Sequence, residues 1–470
     1  MPDYSVILQT PQIRSLVQEK ILERAFHEAM FPRLLFRAEA AEVEWPANVG
    51  DSQVFTGVGL MKPKLKPLAP GVDPVPSDYE KEQWEATLQQ YADSIDTHMP
   101  TSVNAIANLF LRNANQLGLS AGQTLNRVVR NRLYNAAEAG HTVADGAQGP
   151  VATLRVKRLN GFTKARRPDL ANGSPVRFAT VSGNNPLTIQ IYDTAGPAFV
   201  TREVTSYTAD NVGDEYGPGT ITFTGGNVTV LDRAAVIANN RTYLVRVGGG
   251  YKIDDVGTSD TLRLQDLRAA IARFWTVNAA EMPDGRFHCH LDPTSQAQVF
   301  QDDEFQRLLT ALPDHFMYRQ FALGELLGTV YFRNSECPQV ETVGDGNPAV
   351  YTTDDPFAGE LTNNGGATGV RVHRALLISQ AAVFEYYQAL DQLITEAGVT
   401  GKVGEATPSS NGIEIAADRI QLIIRAPLNR LQDKVSTSWK FIGDWPVRTD
   451  VTVGDAAAFK RMCLVQHGEA

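Results

Sequence analysis

Cysteine is scarce in this 470-residue chain: only Cys289, Cys337 and Cys463, widely spaced and without a CxxC pair. Three isolated thiols exclude a disulfide framework and point to a reducing compartment. No apolar run approaches the roughly 18 to 20 residues of a membrane-spanning helix. The opening MPDYSVILQTPQIRS has no basic stretch followed by an apolar one, so it predicts no secretory signal. Cationic excess is missing too. Lys and Arg number 43 against 53 Asp and Glu, a formal charge of −10, which argues against a general nucleic-acid binder, whose affinity comes from clustered cation–phosphate contacts. Among catalytic signatures there is no nucleophile elbow, no H-E-x-x-H and no phosphate-binding P-loop, and Gly344-Asp345-Gly346 lacks the later glycine of a dinucleotide loop. An enzyme reading is weak, and no catalytic residue, cofactor or metal ion is assigned.

What is present is ordinary globular composition, 43% apolar and 20% charged. The length allows roughly three domains at about 150 residues each. Thr10 before Pro11 signals a helix start, and apolar residues at helical spacing from Ile13 carry that helix to about Met30. Residues 45–100 differ. GDSQVFTGVGLM reads as a strand, and Pro63, Pro67, Pro70, Pro74 and Pro76 then stiffen an extended excursion. The return passes through Trp84, Ala86 and Leu88 alternating with polar residues, as in a strand with one buried face. The two arms predict a long hairpin carrying Lys62, Lys64 and Lys66 at its tip. Such a hairpin has little core of its own and suits lying on a neighbouring subunit; packing inside its own chain is the plainer alternative.

From Thr101 a helix is expected to run to Gly118, where a left-handed residue ends it. Ser120 and Gln123 then form a capping box for a second helix, ending near Gly140. Composition shifts at about residue 145. Until about 257 short β-type runs such as LTIQIYD, GTITFTGG and TYLVRVGGG recur at roughly ten-residue intervals, the pattern of an inserted β-sandwich or barrel. Arg155, Lys157, Arg158, Lys164, Arg166 and Arg167 cluster at its entrance; a solvated loop is the default, and contact with an acidic neighbour or DNA the alternative. Helical spacing resumes through Leu262, Leu267, Ile271, Phe274 and Trp275. A strand over 286–291 leads into a helix at Asp292-Pro293, and further strands lie in VRVHRALLIS, IEIAADRIQLIIR and VSTSWKFIG before a short final helix through Ala457, Phe459 and Met462. Helices and strands mix without βαβ alternation, which makes the core α+β. His288, His290 and Asp292 share one strand face at ligand spacing, but no further His or Cys nearby completes a site, so a structural strand is the expectation.

The order of these parts resembles the major capsid proteins of tailed bacteriophages, the Hong Kong-97-like fold. GRFHCHLDPTSQAQVFQDDEFQRLL is similar to a segment of the N4-type capsid family, in which a strand leads through a turn into a helix with a D-x-x-F/W pattern, here Asp302 to Phe305. LGELLGTVYFRNSECP and QLGLSAGQTLNRVVRNRLYNAAEAG resemble the family's following strand-and-loop segment and its paired helices. The resemblance implies an N-terminal arm at 1–44, an extended loop at 45–100, peripheral-domain helices at 101–144, the inserted β domain at 145–257, an axial core at 258–411 and returning C-terminal elements at 412–470. It implies a shell subunit forming hexamers and pentamers around double-stranded DNA, assembled in the host cytoplasm and carried in the virion. The implied partners are identical copies, portal, scaffolding and decoration proteins, and DNA bound only non-specifically, with no membrane. Some relatives join subunits covalently through a loop lysine and an asparagine. No partner asparagine is matched here, so Lys62, Lys64 and Lys66 stand as ionic contact candidates, beside Trp84, Arg127 and Arg130. An encapsulin-like cellular compartment, told apart by its cargo, and a cytosolic hydrolase are the competing readings.

Overall fold

The computed structural model describes residues 21–30, 35–46, 50–61, 64–74, 76, 79–98, 106–167, 177–193, 198–211, 216–276, 279–311, 324–338, 370–388, 407–409, 412–417, 419–425, 434–447 and 461–469. In chain order, helix α1 (Ile21–Met30) precedes β1 (Ala41–Glu44), β2 (Ser52–Met61), β3 (Tyr79–Thr87) and β4 (Gln89–His98). Helix α2 (Ile106–Ala137) follows, then β5 (His141–Val143), β6 (Gln148–Val151), β7 (Thr153–Val156), β8 (Lys164–Arg167), β9 (Arg177–Thr180) and β10 (Leu187–Asp193). Next come β11 (Ala198–Ala209), β12 (Gly219–Thr224), β13 (Val228–Val230), β14 (Ala235–Ala238) and β15 (Leu244–Arg246). Helix α3 (Leu264–Thr276), β16 (Phe287–Leu291), α4 (Pro293–Gln301), α5 (Asp303–Ala311), β17 (Glu325–Leu326) and β18 (Thr329–Arg333) continue the chain. It closes with β19 (Val372–Ile378), β20 (Phe384–Tyr387), β21 (Thr407–Ser409), β22 (Gly412–Ala417), β23 (Ile420–Arg425), β24 (Lys434–Asp444) and β25 (Met462–Gly468). The mixture is α+β.

Two compact units share these elements. The first draws on residues 1–54, 85–130 and 383–446, and the second on residues 55–84, 131–382 and 447–470. None of the expected boundaries at 144, 257 and 411 coincides with a boundary between these units. Residues 106–130 of α2 join the late strands in the first unit; the end of α2, the inserted module and the last strand belong to the second.

In the first unit the sheet runs β1-β20-β24-β23-β22-β21, with β4 also on β24. Trp439 and Trp445 are fully buried there. Arg37 is buried as well, and its guanidinium forks onto Glu385 at 2.7 and 2.8 Å, 348 residues away. Trp445 donates its indole N–H to the same carboxylate at 3.1 Å. A charge this dry is offset by the three hydrogen bonds that the Glu385 carboxylate accepts, two from Arg37 and one from Trp445. The predicted break between two helices is corrected: α2 is one helix of 32 residues, about 48 Å long. Gly118 is an interior position, not a terminator. A Cβ there would overlap the Phe26 carbonyl oxygen of α1, so glycine serves the close approach of two helices. Ser120 does not cap; its hydroxyl donates to Asp93 of β4 at 2.9 Å. The helix stops where expected, with Gly140 in the left-handed region at φ 82°. The start predicted at Thr10 lies outside the described residues.

The second unit holds two sheets of six strands. One is the inserted module, in the order β5-β14-β10-β11-β12-β7, with the small pairs β13-β6 and β8-β9 beside it. Alternation in β10, where Leu187, Ile189 and Ile191 are buried, and in β12, where Ile221 and Phe223 are, supplies its core with Val204, Leu154 and Val236. The other sheet runs β15-β25-β19-β16-β18-β17. Here the β-rich run through residue 250 is corrected. Leu244–Arg246 pairs in parallel with Leu464–Gln466 of β25 and so leaves the module, which closes with β14. β5, placed by sequence before the module, is inside it. Met462 is also corrected: it opens the buried strand β25, every residue of which is buried, rather than closing a helix; Ala457 and Phe459 lie outside the described residues. Helix α3 packs Leu267, Ala270, Ile271 and Phe274 against this second sheet's core and also buries Leu264, while Trp275 points off the stripe and is 57% exposed.

Candidate interface surfaces

Strands β2 and β3 form a sheet of their own, paired with no other strand among the described residues. Near its base Phe55 stacks on Trp84 with ring centres 6.4 Å apart, and the Ser52 hydroxyl donates to Glu85 at 2.8 Å. Ala86 is buried and Trp84 half-buried. Further out, every described residue from 64 to 76 is exposed, Lys64 and Lys66 included. Apolar side chains share that exposure: Leu65 at 90%, Leu68 at 56% and Val72 at 55%. Lys62 lies outside the described residues. A two-stranded ribbon is marginal by itself in water, and three large apolar side chains exposed within eight residues of one extended segment make it a candidate contact surface.

The helix candidates differ from one another. Arg127 of α2 is exposed and Arg130 half-buried. In the inserted module the basic cluster is divided by tertiary contacts. Arg155 is spoken for within its own chain: Nε donates to Asp145 at 2.8 Å and Nη2 to Asp210 at 2.6 Å. Arg158 is buried, donating to Glu138 at 2.9 Å and to the Asn135 side-chain oxygen at 2.8 Å. The carboxylate of Glu138 also receives Gln466 at 2.9 Å and faces Arg374 at 3.2 Å. Arg158 is thus an internal strut with no surface to offer a partner, whereas Arg155 pairs within its chain and keeps 47% of its side chain exposed. Lys164 on β8 is exposed and Lys157 half-buried; β8 also carries Arg166 and Arg167, whose side chains lie outside the description.

The chain is similar to phage capsid structures. The capsid of Ralstonia phage GP4 aligns over 92% of this chain and 90% of that one, at 10% identity and a TM-score of 0.47. The Cyanophage Pam1 capsid asymmetric unit aligns over 94% and 93%, at 10% identity and a TM-score of 0.48. The holo-SrpI encapsulin complex from Synechococcus elongatus PCC 7942 aligns over 93% and 88%, at 12% identity and a TM-score of 0.36. No family model matches the chain, and no curated protein does.

The strand that carries His288 and His290 is β16. Phe287, Cys289 and Leu291 of β16 face the core, where burial pushes the Cys289 thiol well up and Cys463 to about 12. The three polar residues diverge. His288 reaches Asp284 at 3.1 Å; His290 stacks on Phe332 with centroids 5.4 Å apart. Asp292 caps α4, accepting from the Thr294 and Ser295 amides at 3.3 Å, with Pro293 at the first helical position. Among the described residues no group of three or more His, Cys, Asp or Glu is arranged to hold a metal ion.

Sequence reasoning missed the cluster that Asp292 anchors. His373 Nδ1 lies 2.7 Å from its Oδ2, the Ser295 hydroxyl bonds its Oδ1, and His467 Nε2 sits 2.7 Å from that hydroxyl. The two imidazoles stack with centroids 5.4 Å apart. Acid, histidines and hydroxyl have the residue types of a nucleophilic site, but His373, His467 and Ser295 show no exposed surface. A nucleophile must reach a substrate, so this network is internal bracing. The G-x-S-x-G spacing does occur, at Gly118 to Gly122, yet it sits inside α2 and not on a strand-to-helix elbow.

Proposed function

We propose that the chain is the major capsid protein of a tailed bacteriophage, a shell subunit assembling as hexamers and pentamers around a double-stranded DNA genome. The exposed hairpin carries this reading. Twelve described positions of proline-rich chain with leucine and valine in water make no sense for a solitary subunit; on an identical neighbour they bury apolar surface without enlarging any one core. A closed shell repeats that contact from one surface patch, as symmetric assemblies require. The order of arm, hairpin, spine helix and mixed sheets, with the segments that resemble capsid families, supports the same reading. So does the formal charge of −10, which keeps the wall from gripping packaged DNA everywhere.

In this role Lys64, Lys66 and Trp84, with Lys62, serve the hairpin contact, and Arg127 and Arg130 present a second surface on α2. Lys164, with Arg166 and Arg167, is the basic edge of the inserted module toward an acidic neighbour. The protein works without catalysis, is assembled in the host cytoplasm and resides in the virion, where portal, scaffolding and decoration proteins are its further partners.

Electron microscopy of the purified chain tests the reading: closed particles are expected. Deleting residues 60–76 is expected to leave a soluble subunit that does not close. Normal shells from the deletion would remove the hairpin's role, and a chain that stays monomeric at high concentration under assembly conditions would overturn the function.

A further inference from the structure

Within the second unit a small cleft of about 30 Å³, partly open to solvent, lies where β5 and the end of β7 meet β15 and the turn at 251–253. Four cationic side chains line it: Lys157, Arg233, Arg246 and Lys252. In a chain carrying ten more acids than bases such convergence runs against the average. The acids nearby are already engaged. Glu138, the one carboxylate lining the cleft, is held by Arg158 and Arg374 at 2.9 and 3.2 Å. Asp254 takes Arg233 in a two-pronged pair, one bond of which measures 2.6 Å, and lies 4.0 Å from the Lys252 ammonium. The Asp255 carboxylate turns away to accept the Tyr251 and Lys252 amides at 2.8 and 3.1 Å.

The cations are held in place by neutral groups as well. Arg246 Nε donates to the Gln466 side chain at 2.9 Å and Nη1 to the Tyr251 carbonyl at 2.6 Å, and Lys252 Nζ donates to the Arg233 carbonyl at 3.2 Å. Lys157 is different: half-buried, it spends its backbone N–H on the Val143 carbonyl at 3.0 Å, while its ammonium makes no hydrogen bond or ion pair with the described residues. The Tyr251 ring, set edge-on to Phe199 at 4.9 Å, forms a wall of the cleft. Preorganised N–H donors around a half-buried ammonium that lacks an acid are the setting in which charge-assisted bonds to an anion are strongest. The space suits about two waters or one tetrahedral ion, and is too small for a nucleotide.

We infer that this cleft binds a single free oxyanion of the phosphate or sulfate class, with Lys157 as its main ligand and Arg246 and Lys252 beside it. The ion would tie the β5–β7 edge of the inserted module to β15 and the following turn, so its binding would stabilise the folded chain by mass action.

Thermal unfolding and calorimetric titration of the full chain with inorganic phosphate, at ionic strength held constant with sodium chloride, test this. A saturable rise in melting temperature is expected in phosphate, with sulfate competing and chloride inert. Lys157→Met should keep the ion-free melting temperature and bind phosphate about tenfold more weakly or worse, whereas Lys164→Met, on the exposed β8 position, should bind like the unaltered chain. Absence of a saturable shift, equal weakening in both variants, or Lys157-dependent binding of a single-stranded oligonucleotide without any effect of free phosphate would each overturn the site.

Discussion

His467 illustrates how much one side chain can depend on its surroundings. Burial and the neighbouring His373 pull its imidazole down to about 4, with Asp292 opposing only in part. Asp292 is itself held below the ordinary carboxylate range: burial would raise it, but the bonds from His373 and Ser295 prevail. Both shifts act in the same direction on stability. A histidine whose folded value lies below its unfolded value of about 6.5 leaves stability intact above that value and loses it as pH falls toward 4. A depressed aspartate adds its own loss at lower pH still, as the carboxylate protonates. Thermal unfolding between pH 7 and 4 should therefore show falling stability, by up to about 1.4 kcal/mol per pH unit for each extra proton taken up on unfolding. His467→Gln should be less stable at pH 7 yet flatter in that window; an unchanged slope would disprove the assignment.

At the scale of elements, α2 and the hairpin pose opposite problems. In α2 the glycine at position 118 lies in a helix interior, where alanine is ordinarily better by about 0.5 to 1 kcal/mol. The carbonyl of Phe26 occupies the place of the missing Cβ. Gly118→Ala is thus expected to lower the unfolding midpoint in spite of its helix propensity, since the two helices must move apart; a higher midpoint would show that α1 yields freely. Sequence signals of helix termination were strong at this position and still wrong, because a glycine written for close packing reads the same as one written for a left-handed cap. The hairpin was legible for the converse reason. Alternation on the return strand and prolines along the excursion are local steric facts, and they need no knowledge of the remaining chain.

On the scale of the whole molecule, the question is where the exposed segment goes. Hydrogen exchange resolves it. In the dissociated subunit the amides of residues 64–74 should exchange fast, since Val72 to Ala69 is the backbone bond within that stretch. In assembled particles they should gain protection as they bury against a neighbouring copy. Identical exchange in both states would mean that the segment stays in water and that assembly uses other surfaces. The same comparison would show whether Arg127 and Arg130 of α2 sit at a contact.

By itself the sequence determined the α+β mixture, the hairpin, the β-rich module, the buried face of β16 and the helix start at Asp292-Pro293. Each of these follows from sterics and periodicity within about ten residues. Tertiary structure alone decided which charges are available: Arg155 and Arg158 looked like one open basic cluster until Asp210 and Glu138 arrived from elsewhere in the chain. It also decided that Leu244–Arg246 pairs with β25 and not with the module before it. His373 and His467 met over Asp292 in the same way, from strands paired only through long-range closure. Partners that lie from 20 to 220 residues apart are chosen by the packing of whole sheets, and no local pattern encodes that choice.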